Sequence, residues 1–223
     1  MIKILIAIDG ACKRNGQPDC ISVGAAWIQT EDGKLLFKSK LETCSTSQRG
    51  ELNGLLEALR YAVGQASPTE DIILITDSEY IYNTVALSWC FKWRDSGWTN
   101  ADGNETKNTD MWTEVCQLLD ALNNPVERVF IEWTKGHCVH YTPGNTKAAM
   151  RIDSSGIELY TRISTVAHMP ANMDNIIAKF LTERREHDKP AVPREVALEW
   201  AIANATVDCI ASYVVNLMNN AIL

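Results

Sequence analysis

Two short runs, Ile4-Leu5-Ile6-Ala7-Ile8 and Ile72-Ile73-Leu74-Ile75-Thr76, are almost wholly apolar, and each is closed by an acid, Asp9 and Asp77. Runs of this length bounded by turn and helix-start signals read as buried strands. Between them, Val23, Ala25 and Trp27 alternate as in a strand with one buried face. That pattern predicts strands over Cys20 to Thr30 and Lys34 to Lys40, joined by the hairpin signal Asp32-Gly33. The spacing further predicts a helix near 48–65, helices through 78–95 and 109–123, a strand over Val126 to Trp133, and a helix from about residue 145. Three antiparallel strands followed by alternating helices and strands make a mixed α/β sheet.

The remainder of the chain changes character. Glycine does not occur after Gly156, so residues 157–223 read as a helical extension, punctuated by Pro190 and Pro193. Pro193 is suited to the first turn of a helix. From there Val196, Trp200, Ala203, Val207, Ile210, Val214 and Leu217 recur at steps of four and three, which is one apolar seam. The seam has two uses: packing on a helix near 173–185 and the main body, or a homodimer or partner-protein interface over 194–220.

Composition narrows the class. A chain of 223 residues with 46% hydrophobic content can bury a full core. Seven cysteines, an odd number without Cys-x-x-Cys spacing, indicate neither a disulfide framework nor a structural zinc site, and a cytoplasmic location is expected. Cys138-x-His140 lacks the second ligand pair that zinc requires. No signal peptide or membrane span is expected, since no apolar run approaches the ~20 residues of a spanning helix. The net charge of −7 argues against strong, indiscriminate grip on a polyanion.

Singly, each acid has an ordinary explanation: Asp9-Gly10 a turn, Asp77 a helix N-cap, Glu51 an acid complementing a helix dipole. Converging from strand ends and a helix start, they would instead make the all-oxygen site that a hard divalent cation such as Mg²⁺ requires. Without a cation such a cluster resists joint ionisation.

The words around these acids decide between the two. Asp9-Gly10-Ala11, then Gln48-Arg49-Gly50-Glu51-Leu52, then Thr76-Asp77-Ser78-Glu79-Tyr80-Ile81 follow in order. After them come Trp89, Trp93, Gly97-Trp98, Lys107-Asn108, Asp110-Met111-Trp112 and Trp133-Thr134-Lys135-Gly136-His137. From residue 3 to about residue 150 the chain resembles the type 1 ribonuclease H family, in its bacterial form with a protruding handle. The resemblance implies a ribonuclease H-like fold, a mixed five-stranded sheet with helices on both faces, over a catalytic domain of residues 1–156.

The same resemblance implies two Mg²⁺ ions, with Mn²⁺ a substitute, held by Asp9, Glu51 and Asp77, and His137 assisting proton transfer or product release. By position, Asn15 and Gln48 would approach the minor groove of an RNA/DNA hybrid. Thr46 and Asn108 would hold a DNA phosphate, and Trp89 and Trp93 would meet DNA sugars or simply pack their helix. Gln48 replaces the family's usual Asn.

One position departs from the pattern. The family's Gly-Asn-x-x-Ala-Asp, whose Asp is the fourth metal ligand, aligns with Gly144-Asn145-Thr146-Lys147-Ala148-Ala149. Three explanations compete for Ala149: a deliberate substitution, a natural loss, or replacement by Asp153 on the same helical face. The expected function is metal-dependent endonucleolytic hydrolysis of the RNA strand of RNA/DNA hybrids, weakened or abolished by that alanine. The alternatives are a catalytically silent hybrid-binding or scaffolding protein, and a related nuclease such as an integrase or junction resolvase.

Overall fold

The computed structural model describes residues 3–29, 35–43, 45–124, 126–136, 141–142, 147–153, 156–162, 166–167 and 173–222. Its elements run β1 (Lys3–Lys13), β2 (Ile21–Gln29), β3 (Leu35–Thr43), α1 (Ser47–Gln65), β4 (Asp71–Thr76), α2 (Glu79–Ala86), α3 (Trp89–Asp95), α4 (Thr109–Leu122) and β5 (Val129–Trp133). They continue with β6 (Tyr141–Thr142), β7 (Lys147–Asp153), β8 (Gly156–Arg162), β9 (Val166–Ala167), α5 (Met173–Glu186) and α6 (Arg194–Ile222). The Asp32-Gly33 turn lies outside the described residues.

The expected five strands form one mixed sheet. β1, β2 and β3 pair antiparallel in turn, and β4 and β5 add to β1 in parallel. Two further strands extend it, giving the order β5-β4-β1-β2-β3-β8-β7. The strand β7 corrects the helix expected from residue 145: residues 147–153 pair with 156–162 as a hairpin, and β8 meets β3 at Ser39 and Ile157. From Met150 to Asp153 apolar and charged residues alternate, the two-residue period of a strand. The boundary drawn at residue 156 therefore falls inside a hairpin, and the segment after it is not wholly helical.

Helices cover both faces, because β1 alternates. Ile4, Ile6 and Ile8 pack with Leu52, Leu55, Leu56 and Leu59 of α1 and with Trp112, Val115 and Leu119 of α4. Ala7 faces the other way, where Ala25 and Ile75 meet Trp200, Ala203, Val207 and Ala211 of α6. The small side chains on that face let a helix lie close to the sheet. Ala197, Ala201 and Ala205 of α6 pack in turn with Ile177 and Phe180 of α5 and with Trp133. The apolar seam of the last helix thus packs within the chain, with Trp200, Ala203, Val207 and Ala211 buried and Val196 partly so, which is the first of the two uses its pattern allowed. No helix among the described residues is long and apolar enough to cross a membrane.

Candidate metal centre

Asp9 does not end its strand; β1 runs on to Lys13 with Asp9 on the α6 side, beside Ala7 and Ala11. Glu51 is the fifth residue of α1, beyond the first turn. Asp77 follows β4 and leaves the cap of α2 to Ser78, whose hydroxyl accepts from the Ile81 amide. None of the three has the ordinary role that it could have had alone.

Carboxylate oxygens of Asp9, Glu51 and Asp77 lie within 4.8 Å of one another. Two glycines make the approach possible. A Cβ on Gly10 would overlap the Glu51 amide, and one on Gly136 would overlap Asp77 Oδ2. The Gly10 amide donates to Asp9 Oδ1 at 2.7 Å. Burial raises the Asp9 carboxyl well above its usual range, and Glu51, Asp77 and Asp208 push it further in the same direction. Glu51 is raised likewise, by burial first and then by Asp77 and Asp208. Its Oε2 is buried without a hydrogen-bond partner among the described residues. An all-oxygen cluster with an orphaned carboxylate oxygen fits a hard divalent cation.

Asp208 is the residue that sequence reasoning missed. It lies on α6, and its charge acts on both Asp9 and Glu51. One turn earlier on the same helix, Asn204 donates from Nδ2 to Asp77 Oδ2 at 3.2 Å. Asn204-Ala205-Thr206-Val207-Asp208 keeps the Asn-to-Asp spacing of the family's fourth-ligand word. This match escaped the sequence reading because residues 138–193 separate it from the Gly136-His137 word, and Asn145 offered an earlier partial match.

Ala149 and Asp153 belong elsewhere. Both are on β7, four strands from β1, roughly 19 Å away at about 4.8 Å per strand spacing. Asp153 is not brought to the cluster, and Ala149 does not mark a vacancy in it. His137 lies outside the described residues, as does the Cys138 and His140 pair.

The expected substrate residues form two groups. Asn15, exposed in the β1–β2 loop, is bonded to α1: Nδ2 donates to Ser47 Oγ at 3.2 Å and Oδ1 accepts from the Ser47 amide at 3.1 Å. Exposed Gln48 is the next residue. Thr46 caps α1, accepting from the Arg49 amide, and Asn108 precedes α4 in a left-handed conformation without a side-chain cap bond. Arg49 ties those two helix starts together, meeting Glu42 at 2.7 Å and Asp110 at 2.9 Å. The two tryptophans divide: Trp93 packs edge-on to buried Trp112, whereas Trp89 is exposed.

A family model described as RNase H matches residues 2–153. Ribonuclease H of Hahella chejuensis is 35% identical over 148 residues, 66% of this chain and 89% of that protein. Ribonuclease H of Cupriavidus pinatubonensis is 33% identical over 148 residues, 66% of this chain and 91% of its own length. Among solved structures, one described as LC9-RNase H1, a type 1 RNase H with the type 2 active-site motif, superposes with a TM-score of 0.50 at 23% identity. It covers 63% of this chain and 66% of that one, and it agrees in fold. The family match ends at residue 153, ahead of α6, and so does not reach Asp208. It nonetheless spans well over half of the chain and both strands that bear the acids, and the protein belongs to the ribonuclease H family.

Proposed function

We propose that this protein is a metal-dependent endonuclease that hydrolyses the RNA strand of RNA/DNA hybrids with a site of four carboxylates, Asp9, Glu51, Asp77 and Asp208. The observation that carries the reading is the grouping of Asp9, Glu51 and Asp77 oxygens within 4.8 Å of one another, with Asp208 on α6 near enough for its charge to act on Asp9 and Glu51. Mg²⁺ is the ion that the all-oxygen set suits, with Mn²⁺ a substitute. Bound there, such ions supply an activated water and stabilise the leaving 3′ oxygen. The chain's own part is to hold the carboxylates in place: the Gly10 amide fixes Asp9, and Asn204 fixes Asp77. His137, which follows Gly136 in the sequence, is assigned to proton transfer or product release, a task suited to a group that titrates near neutrality.

Substrate contacts follow from the two groups around α1. Asn15 and Gln48 stand side by side at its start, suited to base edges and 2′-hydroxyls of the minor groove. Thr46 and Asn108 stand at two helix N-termini, where backbone amides and the helix dipole favour a phosphate. Exposed Trp89 is the better placed of the tryptophans to meet a DNA sugar. A cytoplasmic setting, where cysteines stay reduced, belongs to the same reading.

The test is cleavage of three labelled substrates, an RNA/DNA hybrid, duplex DNA and single-stranded RNA, in Mg²⁺, in Mn²⁺ and with chelator. Cutting of the hybrid's RNA strand alone, abolished by chelator, is expected. Binding without cutting would replace the enzyme by a hybrid-binding protein, and cutting of duplex DNA would favour an integrase or resolvase activity.

A further inference from the structure

Two thiols outside the metal centre are placed against each other. Cys12, on β1, and Cys20, just before β2, have Sγ atoms 2.9 Å apart. That separation is inside van der Waals contact and within about 1 Å of a disulfide bond's length of about 2.05 Å. Cys20 is fully buried and Cys12 is partly exposed. The segment between them is a compact loop with left-handed turns at Arg14 and Gly16. It is closed by the Arg14 to Asp19 ion pair at 2.7 Å and by hydrogen bonds from the Gln17 amide to the Arg14 carbonyl and from the Cys20 amide to the Gln17 carbonyl. The same loop carries Asn15 against Ser47.

We propose that Cys12 and Cys20 are an oxidisable pair that reacts with a low-molecular-weight disulfide such as oxidised glutathione and closes to an intramolecular disulfide, stapling the Asn15 loop at both ends. Exposure fixes the order of events. The Cys12 thiolate attacks a sulfur of the small disulfide, whose S–S bond breaks and releases one thiolate. Buried Cys20 then gives up its proton and attacks the Cys12 sulfur of the mixed disulfide, expelling the second thiolate. Two protein thiols are oxidised, one small disulfide is reduced to two thiols, and no further oxidant is required. Of the other described cysteines, Cys90 and Cys116 are buried in the main core, out of reach of a bulky reagent.

The closed form should keep the loop as it stands, because the sulfurs are already in contact and the loop is already hydrogen-bonded on both sides. Oxidation should therefore raise thermal stability and leave hybrid cleavage within about twofold. Burial, reinforced by Cys20, pushes the Cys12 thiol up to about 12, so closure should be slow at neutral pH. Its rate should rise about tenfold per pH unit between pH 7 and 9, as the thiolate fraction does.

The experiment treats the full-length native protein with oxidised glutathione and maps its disulfides by mass spectrometry. A Cys12–Cys20 link with the loss of two hydrogens and a raised Tm is expected. Cys20→Ser should stop at a glutathione adduct on Cys12, and Cys12→Ser should leave Cys20 unmodified. A link made preferentially through Cys44, Cys138 or Cys209, or closure only after unfolding in urea, would overturn the proposal.

Discussion

Asn204 on α6 donates its Nδ2 to Asp77 Oδ2 at 3.2 Å, joining the last helix directly to a carboxylate at the end of β4. Asn204 is buried, and its Oδ1 has no hydrogen-bond partner among the described residues. A residue that orients a metal-binding carboxylate typically contributes 10 to 100-fold to affinity. Asn204→Ala should accordingly weaken Mg²⁺ or Mn²⁺ binding by about 10-fold or more, read by calorimetry on the protein alone. An unchanged dissociation constant would show that Asp77 is held by other groups.

Asp208 and Ala149 make opposite predictions. Asp208→Asn should lower hybrid cleavage by at least about 100-fold, because metal-assisted stabilisation of charge is worth several kcal/mol. Ala149→Asp should leave the rate within about twofold, since position 149 lies on the far edge of the sheet. A large gain from Ala149→Asp would refute the assignment of Asp208 and move the fourth carboxylate back to β7.

Metal-free stability should fall as pH rises. The folded-state pKa values of Asp9 and Glu51 are raised above the ordinary 3.8 and 4.5, by burial first and by neighbouring carboxylates second. Between the ordinary and the raised values the folded state therefore binds more protons than the unfolded chain, and stability decreases upward through that window. Thermal melts in chelator should show a Tm falling from the carboxylate range toward neutrality. Glu51→Gln should raise the neutral-pH Tm and flatten the slope. Mg²⁺ should restore stability to the parent protein by binding only its folded state.

What was legible in the sequence follows the range over which each signal acts. Strands β1, β4 and β5 and helices α1 and α4 were evident because each is a local pattern of apolar spacing with a turn or cap at its ends. The three acids were evident because the words holding them are contiguous. Asp208, proposed above as the fourth carboxylate, was hidden by distance along the chain: its helix begins only at Arg194, and Gly144-Asn145 offered an earlier partial match to the same word. β7 was misread because a glycine-poor stretch after an Asn resembles a helix start, and only the pairing partner, residues 156–162, shows otherwise. The seam of α6 was visible, but its partner was not, since Ala7, Ala25 and Ile75 belong to three different strands.

Gly136 should prove intolerant of any side chain. Its Cα faces Asp77 so closely that a methyl group would overlap the carboxylate oxygen. Gly136→Ala should displace Asp77 rather than unfold the chain, because a carboxylate at the edge of the core can rotate away. Divalent-cation binding and cleavage should both drop by about 10-fold or more, an effect of the size expected when a ligand is misoriented, while circular dichroism stays unchanged. Full retention of binding would mean that the loop shifts instead.

Arg184 links α5 to the same centre. Its side chain is 1% exposed, and it donates to the carbonyls of Trp133 and Pro190 and, at 3.0 Å, to Glu132 Oε2. Its guanidinium also lies 5.3 Å from the Trp200 ring centroid. Trp133 in turn donates its indole N–H to the Asp77 backbone carbonyl at 3.2 Å. Arg184→Met would keep much of the volume but leave two carbonyls and Glu132 without their donor, at a cost of about 3–5 kcal/mol. Urea unfolding should report a loss of that order. Arg184→Lys keeps the charge but not the planar fork that serves three acceptors at once, so it should fall between the two. Because Trp133 ends on Asp77, the lysine protein should also bind Mg²⁺ several-fold more weakly while still folded. If Arg184→Met lost less than about 1 kcal/mol and bound Mg²⁺ normally, α5 would be an appendage to the site rather than part of what holds it.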